Sequence, residues 1–75
     1  MKVKVLYFAM LKDAMGTGEE WVELAAGSTA EALRSRLDPA WTTSLAVAVN
    51  LNYGGWNKVL NDGDEVALIP PVAGG

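Results

Sequence analysis

The chain opens on alternation. Residues 2–11, Lys-Val-Lys-Val-Leu-Tyr-Phe-Ala-Met-Leu, change side with each position and then turn continuously apolar, which predicts a strand. Val3, Val5, Tyr7 and Ala9 share one face, and Lys2, Lys4, Leu6 and Phe8 share the other. The first set carries no charge and reads as the core face. The second passes from lysine to Leu6 and Phe8 along the same strand. One end of the outer face is therefore apolar and either packs under a loop or faces a partner; the partner is the favoured reading. Lys12 and Asp13 leave the strand, and Gly16-Thr17-Gly18 turns the chain. Glu20 to Leu24 alternates again, with Val22 and Leu24 inward and Trp21 and Glu23 outward. The short connection makes this second strand antiparallel to the first, with Trp21 half-buried at the sheet edge.

After Gly27 the period changes to that of a helix. Ser28 with Glu31 spells the S-x-x-E capping box. Ala30, Leu33 and Leu37 fall on one face, Arg34 and Arg36 lie off it, and Pro39 ends the helix. Ala40 to Ser44 is a connector whose Trp41 is expected to cap the core. Leu45 to Leu51 is nearly all apolar, as a central strand is. A turn is expected over Asn52-Tyr53-Gly54-Gly55, then a short edge element over Trp56 to Leu60, then a tight turn over Asn61-Asp62-Gly63-Asp64 with Gly63 left-handed. Asp62 and Asp64 have no third ligand near them in sequence, so no metal site is expected. Glu65 to Ile69 is the last strand, with Val66 and Leu68 inward and Ile69 outward.

The order β-β-α-β-(β)-β sets the first and last strands side by side and parallel, by the handedness of crossover connections. A mixed sheet packed on one main helix is the α+β, β-grasp architecture of ubiquitin-like proteins. Residues 1–69 form that domain. Residues 70–75, Pro-Pro-Val-Ala-Gly-Gly, form an extended tail. Pro70 and Pro71 fix φ and push Ile69 toward extended geometry, which stops the strand and stiffens the root of the tail. Gly74 and Gly75 add no stability, because glycine loses the most freedom on ordering. They read either as a frayed terminus or as a backbone thin enough for a narrow channel, with no Cβ beside the carboxylate.

Composition narrows the chemistry. At 75 residues, 51% of them apolar, the chain is one small foldable domain. It holds no cysteine and no histidine, which removes a disulfide scaffold, thiolate metal ligation, a cysteine nucleophile and the commonest general base. A self-sufficient enzyme is not expected. A net charge of −3 and a pI near 4.6 argue against nucleic acid or an anionic membrane as partner and favour a basic protein surface. Lys2 and Lys4 interrupt the first apolar run, so no signal peptide is read, and no run reaches membrane-spanning length. The expected location is the cytoplasm.

Four stretches carry a resemblance that spans the whole chain: Tyr7-Phe8-Ala9, Ala48-Val49-Asn50, Asp62-Gly63-Asp64-Glu65-Val66, and Pro70-Pro71-Val72-x-Gly74-Gly75. Together they resemble the small subunit of molybdopterin synthase, the sulfur-carrier family of molybdenum-cofactor biosynthesis. Ala73 stands where that family usually has serine or threonine, and Tyr53 to Trp56 is richer in glycine. The resemblance implies that an E1-like adenylyltransferase activates the Gly75 carboxylate with ATP, and that a sulfur donor protein then converts it to a thiocarboxylate, a C-terminal 1-thioglycine. The tail, Pro70, Pro71, Val72, Ala73 and Gly74, would carry it into the large synthase subunit, where sulfur passes to a cyclic pyranopterin phosphate to build the molybdopterin dithiolene. No cofactor is held permanently, ATP is used by the activating partner, and a hetero-oligomer is implied. Phe8, Tyr53 and Ile69 match the family's hydrophobic contact surface. Two alternatives share the architecture: the sulfur carrier of thiamine thiazole synthesis, and a ubiquitin-like modifier joined to protein lysines. A plain β-grasp binding module, whose terminus is incidental, is a third.

Overall fold

A computed structural model describes residues 1–37 and 44–71. The stop at Pro39, the cap by Trp41, and the tail residues Val72, Ala73, Gly74 and Gly75 lie outside the described residues. Seven elements follow in order: β1 (Lys2–Tyr7), α1 (Met10–Met15), β2 (Glu19–Glu23), α2 (Glu31–Arg34), β3 (Ala46–Val49), β4 (Asn52–Gly54) and β5 (Glu65–Ile69). The sheet runs β2-β1-β5-β3-β4. β1 is antiparallel to β2 and parallel to β5, and β3 is antiparallel to both β5 and β4. The expected pairing of first and last strands is present, and this is the β-grasp sheet. β5 is its middle strand; β3, read as central, lies one place in from the edge.

One face of the sheet is covered. Val3, Val5 and Tyr7 of β1, Val22 of β2, Val47 and Val49 of β3, and Val66 and Leu68 of β5 pack with Ala30, Leu33 and Leu37 from the α2 region. The positions expected to face inward on the first, second and last strands and on the helix are thus the core, apart from Ala9, which is exposed, and Leu24, which is half-buried against it. Burial of each of these larger side chains contributes about 1.5–3 kcal/mol.

The first departure from the pattern falls at the end of β1. The strand expected over 2–11 stops at Tyr7, and Met10–Met15 is a helix. Ala9 takes φ 50° and is exposed. Its positive φ turns the chain, so Leu11 alone re-enters the core. A short apolar run reads equally well as strand or helix by periodicity, and Leu6 to Leu11 is such a run. Gly16, at φ 76°, is the left-handed cap of this helix, its N–H donating to the Lys12 carbonyl.

The second departure concerns the entrance to α2. No side chain caps it, so the Ser28–Glu31 capping box does not form. The reason is competition from neighbouring backbone. The Ala30 and Glu31 N–H groups donate to the Lys58 and Trp56 carbonyls at 3.1 and 2.9 Å, while the Leu60 N–H donates to the Ser28 carbonyl at 2.9 Å. Residues 56–60, expected as a short edge element of the sheet, instead pair with the start of α2 through the single bridge Thr29–Val59. Glu31 turns to Arg34 (2.6 Å), whose guanidinium lies 4.7 Å from the centre of the Trp56 ring.

The third is the β3–β4 turn. Tyr53 lies in β4, where a turn was expected; the turn is Asn50-Leu51, closed by the pair Val49–Asn52. Both turn residues have positive φ, 50° and 70°, as a two-residue type I′ connection requires. Trp21, expected half-buried, is 61% exposed on edge strand β2, because none of the described residues covers that face of the sheet there.

Candidate functional site

The outer face of the sheet is built from the alternate set of residues on the same strands. The register lays Leu6 beside Ala67, Ala67 beside Ala48, and Ala48 beside Tyr53, in one row across four strands. Ala46 pairs with Ile69 in the next row. Small residues in the middle and large ones at the sides make a depression of about 170 Å³, with Leu6, Phe8, Leu51, Tyr53 and Ile69 around the alanines and Glu65 at its lip. Phe8 is 45% exposed and Tyr53 75% exposed. Ile69 is half-buried, Pro70 buried and Pro71 exposed. Phe8, Tyr53 and Ile69, far apart in sequence, therefore line one surface, and the proline step begins at its wall.

This surface has a second, charged half. Lys4 pairs with Glu19 at 3.0 Å on the same face of the sheet, and the register puts Lys4 next to Trp21 and Glu65. The change along β1 from lysine to Leu6 and Phe8 is thus a change across the open face.

The polar stretch around Asp62 does its work in the fold. Asp62 Oδ1 accepts from the Lys2 N–H at 2.8 Å, and Gly63, at φ 85°, donates its N–H to the Lys2 carbonyl. Asp64 Oδ2 accepts from the Asn61 N–H (2.8 Å) and Oδ1 from Asn50 Nδ2 (2.9 Å). Asn50 Oδ1 accepts in turn from the Glu65 N–H at 2.9 Å. The loop clasps the beginning of β5 to β1 on one side and to the β3–β4 turn on the other. Those bonds, the Asn61 N–H first and Asn50 second, hold the Asp64 carboxyl below its ordinary value. Tyr7 of the first signature stretch serves the core: its hydroxyl donates to Glu20. Burial, and then Glu20, hold that phenol well above its ordinary value. Among the described residues no group of three or more acidic, cysteine or histidine side chains is placed to hold a metal, and no helix is long and apolar enough to cross a membrane.

Reading the sequence missed Leu51, Ala48 and Ala67 as members of the depression. Asn50 was the available signal for Leu51, since asparagine opening a two-residue turn between strands marks a hairpin.

Fold and surface together define a ubiquitin-like β-grasp domain with an apolar depression where its middle strand ends. The chain belongs to the ThiS family, whose profile matches residues 5–75, and stands there with the molybdopterin synthase sulfur carrier subunits. It is 39% identical over 82 residues to the molybdopterin synthase sulfur carrier subunit of Escherichia coli (strain K12), covering 97% of this chain and 99% of that one. Among solved structures it is similar to one chain of the complex of subunits 1 and 2 of the molybdopterin-converting factor from Helicobacter pylori, with TM-score 0.70 and 28% identity, covering 100% of this chain and 100% of that one. It is also similar to small archaeal modifier protein 1 from Methanosarcina acetivorans, with TM-score 0.73 and 27% identity, covering 99% of this chain and 96% of that one.

Proposed function

We propose that this chain is the sulfur carrier of a molybdopterin synthase, working in the cytoplasm as the small partner of a hetero-oligomer. The observation that carries the reading is the placement of Pro70 and Pro71 at the end of the middle strand, beside a depression that brings Phe8, Tyr53 and Ile69 together. An arm rooted in the middle of a sheet keeps a fixed direction. The surface next to it supplies aromatic side chains of the kind that dominate protein contacts.

In this reading the Gly75 carboxylate attacks the α-phosphorus of ATP in an E1-like partner, forming an acyl adenylate and releasing pyrophosphate. A carboxylate is a poor electrophile until it has such a leaving group. Sulfide-level sulfur released by a donor protein attacks the acyl carbon, the C–O bond to AMP breaks, and the chain then ends in a thiocarboxylate. With no cysteine in the sequence, that would be the chain's single nucleophilic sulfur. Residues 70–75 enter the large subunit, and the sulfur passes to a cyclic pyranopterin phosphate. The carrier binds no cofactor of its own, and catalytic side chains come from the partners.

The test is intact mass spectrometry after incubation with ATP, an E1-like activator and a sulfur source. The expected result is exchange of one oxygen for sulfur, confined to the C-terminal peptide, and its loss when one residue is added after Gly75. Loading of the extended chain would refute the tail mechanism. The likeness to an archaeal modifier favours a second reading, in which Gly75 forms an isopeptide bond with a lysine. A branched peptide after digestion, in place of the sulfur exchange, would favour it.

A further inference from the structure

Strand β2 forms one edge of the sheet, two strands away from β5. Its hydrogen-bond phase is set at both ends. The Leu24 N–H donates to the Met1 carbonyl and the Tyr7 N–H donates to the Gly18 carbonyl, both at 2.9 Å. Even-numbered residues of this strand therefore bond to β1, and the backbone groups of Glu19, Trp21 and Glu23 point away from the sheet. Glu19 is closed off locally. Its N–H donates to Thr17 Oγ1 at 3.3 Å, and the same hydroxyl donates to the Glu19 carbonyl at 2.8 Å. Among the described residues the N–H and C=O groups of Trp21 and Glu23 meet no such partner. An edge of this kind is a template for another strand unless lysine, proline or a bulge blunts it, and β2, Glu-Glu-Trp-Val-Glu, has neither lysine nor proline. Trp21 is also one wall of an open groove of about 500 Å³ lined by Lys2, Asp62 and Gly63. Its ring is thus accessible from the sheet side as well as from the edge.

We propose that this edge is a docking site of its own, at which an extended basic segment of a partner protein adds to β2 as a further strand. Charge decides the occupant. Glu19, Trp21 and Glu23 alternate onto the open face, so a strand laid alongside meets acid, aromatic, acid. The lysines of this face, Lys2 and Lys4, stand on β1, one strand further in. A second copy does not fit: β2 paired with itself about Trp21 sets Glu19 against Glu23 twice, and like charges directly opposite repel. The same carboxylates favour lysine or arginine on either side of an apolar residue that covers Trp21. Trp21 and Glu23 lie beside Lys4 and Lys2, away from the end of β1 where Tyr7 pairs with Leu68. The site is therefore separate from the depression at the end of β5, and the proposal does not rest on the sulfur-carrier reading.

The test titrates the full chain with the capped peptide Thr-Lys-Val-Ile-Thr-Lys-Thr, followed by amide NMR and hydrogen exchange. The expected result is saturable binding in which exchange of the Trp21 and Glu23 amides slows by about ten-fold or more. A peptide with glutamate in place of both lysines should bind at least about ten-fold more weakly. Trp21→Ala should weaken the parent peptide by about ten-fold, whereas Phe8→Asp should leave its affinity unchanged. Unaltered exchange at Trp21 and Glu23 with the peptide raised to about 1 mM would overturn the proposal. So would equal binding of the acidic peptide, or shifts confined to Phe8 and Tyr53. Slowed exchange at both amides on raising the concentration of the chain alone would give the edge to a second copy and overturn it as well. None of these outcomes bears on sulfur loading at Gly75.

Discussion

The two faces of β1 are made by neighbouring residues and serve opposite ends. Val3, Val5 and Tyr7 are buried, whereas Lys4, Leu6 and Phe8 look out from the open face. On the covered face, apolar side chains have partners on every side and their burial stabilises the fold. On the open face, Phe8 and the neighbouring Leu6, Tyr53 and Leu51 have partners on one side only. Apolar groups left half-wet add little to folding and leave surface that a second protein can bury. The comparison teaches that hydrophobicity alone does not mark the core of a domain this small. The parity of the position along the strand decides it.

That contrast can be broken experimentally, and the largest effect should come from the covered face. Leu68→Ala, at a position 1% exposed, should cost about 2–5 kcal/mol in urea unfolding, through lost transfer energy and the cavity left behind. Phe8→Asp on the open face should change the same measurement by less than about 1 kcal/mol while abolishing binding to the large subunit. A large stability loss there would mean that Phe8 belongs to the core. Next comes the clasp. Asp64→Ala removes the acceptor for the Asn61 N–H and for Asn50 Nδ2, and should cost about 1 kcal/mol, since both bonds lie at the surface.

The same carboxylate sets a smaller, pH-dependent effect. Its folded pKa lies below the unfolded value of 3.8, so the native state binds a proton less readily than the unfolded one. The stabilisation is therefore complete above the ordinary carboxylate range and declines as pH falls from about 4 through the lowered value. Asp64→Asn should flatten that acid limb of the stability curve, measured by thermal unfolding between neutral and acid pH. An unchanged limb would assign acid sensitivity to other carboxylates.

Much of this architecture was legible because period-two alternation leaves few choices. Val3, Val5, Val22, Val66 and Leu68 were assigned inward by parity, and Ala30, Leu33 and Leu37 by helical spacing; all are buried. The three failures share a physical cause. Helix α1, the absent capping box and the turn at Asn50-Leu51 were each decided by a single backbone conformation or a distant hydrogen bond. Positive φ at Ala9 and Leu51 runs against what those residues prefer, so local propensity points the wrong way. The carbonyls of Trp56 and Lys58 reach α2 from some twenty-five residues downstream, out of range of a local motif. Of the depression, Phe8 and Ile69 were readable from strand parity, and Tyr53, expected in a turn, only from the family resemblance. Its alanine floor was not, because Ala48 and Ala67 matter only for being small in the middle of a row across four strands.

The most direct test of the whole account follows the sulfur itself. The thiocarboxylated chain would be mixed with large subunit and cyclic pyranopterin phosphate, and the intact mass of the chain followed through a single turnover. The account predicts that the chain returns to the carboxylate form as the pterin gains sulfur, and that Phe8→Asp, loaded to the same extent, keeps its sulfur. A loaded parent chain that retains its sulfur in the presence of both would contradict it.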